Sequence, residues 1–85
     1  MKDLLKRLEE AEKRANAVDE AWGNDPENEQ LEIEFDEAYN EEWNARKAVI
    51  NEVVKITNGQ IDEKTANTML NVKRNELKAL IERMA

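Results

Sequence analysis

The chain has 85 residues, enough for one domain built on one hydrophobic core. Hydrophobic residues make up 40% and charged residues 39%, with two glycines and one proline, the composition of long helices with wetted outer faces. Cysteine, histidine and serine are absent, which removes a disulfide framework, thiolate and imidazole metal ligands, and Ser or Cys nucleophiles. A non-enzymatic protein without a cofactor is therefore expected. The N-terminal stretch has charges among its leucines, and no run approaches membrane-spanning length, so a cytoplasmic protein that makes no membrane contact is expected.

Residues 2 to 22 carry Leu4, Leu8, Ala11, Ala15, Val18 and Trp22, with Met1 ahead of them, in alternating steps of three and four. This spacing predicts a helix with one narrow packing seam. Gly23 suits a left-handed C-cap, and Asp25-Pro26-Glu27 reads as an N-cap, a first-turn proline and an acid matched to the helix dipole. A second helix is expected over about 26–57, with Leu31, Phe35, Ala38, Tyr39, Trp43, Ala45, Val49, Ile50, Val53 and Ile56 on a face wide enough for two neighbours. Asn58-Gly59 should end it. Asp62 can cap a third helix over about 62–84, with Ile61 and Ala66 as a hydrophobic staple and Met69, Leu70, Leu77, Leu80, Ile81 and Met84 as its stripe.

Short connections between sequential helices predict an all-α, antiparallel, up-down-up three-helix bundle with a long central helix, forming a single domain over residues 1–85. Folding about residue 59 sets Val53 near Ala66, Val49 and Ile50 near Met69 and Leu70, and Tyr39 near Leu80 and Ile81. Trp22, Phe35, Tyr39 and Trp43 are thereby expected in the core. The same register places Lys73 opposite Glu42 and Arg46, a charge cluster across the bundle. The start of the second helix, Glu27 to Glu34, should project beyond the third.

Charge is the strongest signal beyond the fold. Between Arg14 and Arg46 there is no Lys or Arg, while Asp19, Glu20, Asp25, Glu27, Glu29, Glu32, Glu34, Asp36, Glu37, Glu41 and Glu42 give eleven acids in a chain of net charge −7. Such a run favours the positive end of a helix and keeps the surface wet. It can also dock on a basic protein surface, where a row of carboxylates imitates a nucleic-acid backbone. Partner-binding residues are expected to be Glu27, Glu29, Glu32, Ile33, Asp36, Glu37 and Glu41, with Ile33 an apolar contact centre among the acids. Direct nucleic-acid binding is disfavoured, because phosphate contact requires a concentrated basic face. Asn58-Gly59-Gln60-Ile61-Asp62 running into Ala66, Leu70 and Leu77 resembles small helical proteins of bacteria and their phages. That likeness implies a phage or mobile-element inhibitor that blocks a nucleic-acid-binding site.

Two other functions compete. Spare apolar surface on the helix 1 seam would support a self-associating structural or assembly protein, with a homodimer as its simplest form. Glu29-Gln-Leu-Glu32 and Glu34-Phe-Asp-Glu37 resemble the E-x-x-E pattern of all-α Mg-dependent nucleotide pyrophosphohydrolases. That likeness implies a carboxylate-metal enzyme, but the second acidic pair such a site needs is missing.

Overall fold

A computed structural model describes residues 2–84, so Met1, assigned to the helix 1 stripe, and Ala85 lie outside it. The described residues form four helices and no strand: α1 (Lys2–Asn24), α2 (Glu29–Ile56), α3 (Glu63–Val72) and α4 (Arg74–Met84). The 28 residues of α2 extend ~42 Å at 1.5 Å per residue, nearly the full 46 Å long axis of a molecule only 20 × 18 Å across.

The helix ends show which local codes act. Asn28, and not Asp25, is the N-cap of α2: its Oδ1 accepts from the Gln30 and Leu31 N–H groups at 3.0 and 3.3 Å, while Asp25 accepts from the Asn28 side chain. Pro26 and Glu27 are thus in the turn ahead of the helix, which begins at Glu29, three residues after the expected start. Gly23 lies within α1, so its conformational freedom is not used. The other junction follows its local sequence. Asn58 and Gly59 take φ of 54° and 81°, the Gly59 N–H reaches the Val54 carbonyl at 2.9 Å, and Asp62 Oδ1 caps α3 at Thr65 N. Buried Thr57 donates to the Val53 carbonyl and accepts from Ile61 N–H, tying the turn to the end of α2.

The single helix expected over 62–84 is two helices. At Lys73 the backbone leaves helical geometry (φ −133°, ψ 40°), its N–H closing α3 on Met69 and its carbonyl accepting from Leu77 N–H as α4 starts. Arg46 donates to Asn67 and Asn71, which runs α3 antiparallel to α2 and stops it beside Arg46. From there Arg74 meets Glu12, Lys78 meets Glu9, and Ile81 lies beside Leu5, so α4 folds back along α1 toward the chain start. No Gly or Pro causes this. Folding back buries Leu77 and Ile81 against Leu5, Leu8, Ala45, Val49, Val53, Ala66 and Leu70, whereas a straight helix would carry them past Arg46. Each fully buried Leu or Ile side chain contributes ~1.5–3 kcal/mol, enough to outweigh an interrupted helical ladder.

The result is a four-helix base with an arm. The base holds the core; the arm is the upper half of the α1–α2 hairpin. In the arm Ala15 and Ala38 are buried between the two helices, and Val18, Trp22, Leu31 and Phe35 are half-buried. No helix among the described residues is long and apolar enough to cross a membrane.

Candidate functional site

The base carries charges of both signs, and six of its side chains pair across or along its helices. Arg74 donates to both Glu12 carboxylate oxygens, at 2.5 and 2.9 Å, and its Nε donates to the Leu70 carbonyl at 3.0 Å, so one side chain caps α3 and fastens α4 to α1. This bidentate pair raises the Arg74 pKa above its ordinary value against an opposing effect of burial. Arg46 lies 3.7 Å from Glu12 and 3.8 Å from Glu42. A hydrogen bond from Lys78 holds the Glu9 carboxyl below its usual range, and the Thr65 backbone N–H does the same for Asp62. Glu42 and Arg46 therefore do join an interhelix cluster, but with Glu12 and Arg74. Lys73, assigned to it from the sequence, is exposed at the turn.

The arm is left acidic. Since α4 folds back, Arg74 and Lys78 pair with Glu12 and Glu9 in the first half of α1, and of the acids from Asp19 to Glu42 only Glu42 lies near either of them. Among the described residues, the arm's carboxylates find basic partners only in Arg14, which bridges Glu37 and Glu41, and in Arg46, which meets Glu42. Of the eleven acids, eight have no ion pair among the described residues.

All seven residues expected to bind a partner are exposed. They do not share one face. Glu37 and Glu41 turn to the α1 flank where Arg14 holds them, Glu27 is in the turn, and Glu29 and Ile33 are on the outer side of α2. Glu32 and Asp36 instead continue into Tyr39 and Trp43: steps of four, three and four residues keep this quartet within about 60° of the helix circumference.

Tyr39 and Trp43 are the residues that sequence reasoning misplaced. They are 51% and 57% exposed, beside 53% for Ile33, so the largest uncovered apolar groups of α2 adjoin the acids. Their neighbours order them: Phe35 stacks at tilted angles on Trp22 (centroids 4.9 Å apart) and on Tyr39 (4.5 Å), and Lys47 Nζ lies 5.4 Å from the Trp43 ring centre. The Trp22 indole N–H is enclosed with no acceptor among the described residues. α3 packs on the same side of α2 around Ile50 and Val53, and the Phe35–Tyr39–Trp43 ledge extends that side beyond the end of α3.

The helix 1 seam expected to be spare is occupied, because Leu8, Ala11 and Ala15 are buried within the chain. Among the described residues no group of three or more acidic side chains converges as a metal cage would require, and Glu29, Glu32 and Glu37 of the two E-x-x-E pairs are exposed while Glu34 is half-exposed. Comparison with protein-family models, curated proteins and solved structures finds no match for this chain.

Proposed function

We propose that this chain is a cytoplasmic, non-enzymatic binding module whose acidic arm engages a basic protein surface. One observation carries this reading: the arm concentrates acids with no Lys or Arg between Arg14 and Arg46, eight of them without an ion pair among the described residues, including Glu32 and Asp36 beside exposed aromatic rings, whereas the base carries charges of both signs. Carboxylates on a narrow projecting rod concentrate the negative field, which speeds encounter with a basic partner, while the aromatic rings supply the desolvated contact that slows release. In its most specific form the row of acids occupies a nucleic-acid-binding groove, the action of a phage or mobile-element inhibitor.

The test is retention of proteins from a nucleic-acid-depleted extract of the source organism on two columns, one bearing the native chain and one bearing E32K/D36K. The reading expects proteins held by the native chain alone, released by raising salt from about 0.1 to 0.5 M as charge screening tightens, and displaced by DNA in the inhibitor form. Retention that is equal on both columns, or indifferent to salt, overturns it.

Self-association is the second reading; with the helix 1 seam occupied, the exposure of Tyr39 and Trp43 on α2 is what favours it. Two arms meeting there would bring like charges together, which opposes it. Sedimentation at several concentrations decides between them.

A further inference from the structure

The geometry points to a particular occupant of the arm: a basic amphipathic helix of the partner, laid along Phe35, Tyr39 and Trp43 in line with α3. This inference rests on the acidic-arm reading above and adds the shape and chemistry of what is bound.

The argument begins with what α3 does lower on α2. It lies antiparallel over Ile50 and Val53 and stops where Arg46 grips Asn67 and Asn71. Beyond that point the same side of α2 presents exposed Trp43 and Tyr39 and half-buried Phe35, with no third helix over it among the described residues. The uncovered stretch from Glu32 to Trp43 is twelve residues, ~18 Å, or about three turns of a docked helix. A groove between Trp43, Lys47 and Ile50 of α2 and Glu63, Lys64 and Asn67 of α3 joins the bare face to the covered one, so a helix entering from the arm tip would abut α3.

Charge selects among possible occupants. Glu32 and Asp36 share the ledge's side of α2, and the bases at its lower end are Lys47, held over Trp43, and Lys64, next to Glu63 on α3. A helix with two or three large apolar residues spaced three and four apart, flanked by Lys or Arg, satisfies both the rings and the carboxylates. A second copy would bring eleven further acids to the same place. Nucleic acid would bring phosphates.

The test uses the full chain and three probes: a synthetic helix of about five turns with a leucine stripe among lysines, its counterpart with glutamate replacing lysine, and an unstructured oligolysine of equal charge. Binding is read by calorimetry and by Trp fluorescence, on the native chain, on Y39A/W43A and on E32K/D36K, with circular dichroism confirming that each variant is folded. The expected result is that the native chain binds the lysine helix at least about tenfold more tightly than oligolysine, and does not bind the glutamate helix. Y39A/W43A should lose at least about tenfold toward the lysine helix while keeping its weak grip on oligolysine, and E32K/D36K should lose both. Equal binding of the lysine helix by native chain and Y39A/W43A overturns the helix-docking inference but leaves the acidic-arm reading standing. Failure of both cationic probes to bind overturns both. Concentration-dependent dimerisation that shields Trp43 from acrylamide would replace the proposed occupant with a second copy.

Discussion

Arg74→Met separates the folded-back α4 from a straight third helix. The substitution removes two charge-assisted hydrogen bonds to Glu12 and the Nε bond to the Leu70 carbonyl. Severing a fully buried ion pair costs about 3–5 kcal/mol, and an exposed one at most about 1. This pair lies between those limits, with side chains 26% and 22% exposed, and Glu12 keeps Arg46 at 3.7 Å as a remaining partner. The expected loss is ~2 kcal/mol, a large part of the net stability of a domain this size, and a fall in Tm of roughly 10 °C. Lys73→Gln should change stability by less than about 0.5 kcal/mol, because Lys73 is exposed and its backbone hydrogen bonds are untouched. Urea denaturation of both variants, with a double-mutant cycle through Glu12→Gln, measures this directly. A Lys73→Gln cost equal to or above that of Arg74→Met, together with no coupling between positions 12 and 74, would refute the placement of α4.

Leu77→Ala should cost ~2–5 kcal/mol, since Leu77 is fully enclosed, whereas Tyr39→Ala, on the apolar face expected for α2, should cost under about 1 kcal/mol; equal losses would put Tyr39 back in the core. Asn28→Ala removes the α2 cap, at a cost of about 1 kcal/mol, and should accelerate hydrogen exchange at Gln30 and Leu31 more than Asp25→Ala does. Trp43→Phe should abolish most acrylamide-quenchable fluorescence, leaving the half-buried Trp22. Glu9 and Asp62 are both held below ordinary carboxylate values when folded, so their contribution to stability is complete above the unfolded pKa, near pH 4, and is lost as pH falls through the folded values. Protection of the amides around Thr65, measured against their intrinsic exchange rates at each pH, should therefore fall in acid in the native chain but change less in Asp62→Asn; parallel profiles would show that the cap does not carry the effect.

What the sequence disclosed is what local chemistry encodes. The stripes of α1 and α2 follow from apolar spacing, and the α2–α3 junction follows from Asn58-Gly59 and Asp62, whose left-handed backbone and cap are properties of those residue types. Two caps, Asp25 and Asn28, compete for the start of α2, and nothing local decides between them. The turn at Lys73 is not local at all: Val72-Lys73-Arg74-Asn75 has no breaker, and it turns because Leu77 and Ile81 reach Leu5 and Leu8. A signal was present. Lys73 interrupts the stripe between Leu70 and Leu77, and a charge at a core position of a helix can mark a reversal as readily as a buried ion pair.

The acids of the candidate site were legible for the same reason, being a matter of composition over an interval. Its aromatic part was not, because Tyr39 and Trp43 are continuous in sequence pattern with residues that α3 does cover. Pattern shows which face of a helix is apolar, and the length of its neighbour settles how much of that face is hidden.

α4 folds back along α1 and leaves Tyr39 and Trp43 of the ledge exposed. A chain without cysteine allows a direct test: the pairs K6C/E82C and Y39C/L80C, each treated with a short bis-maleimide under native conditions. Lys6 and Glu82 line the same groove between α1 and α4, so the first pair should crosslink within one chain and the second should not. Efficient crosslinking of 39 to 80, with none between 6 and 82, would mean a straight third helix covering the arm, and would contradict the account.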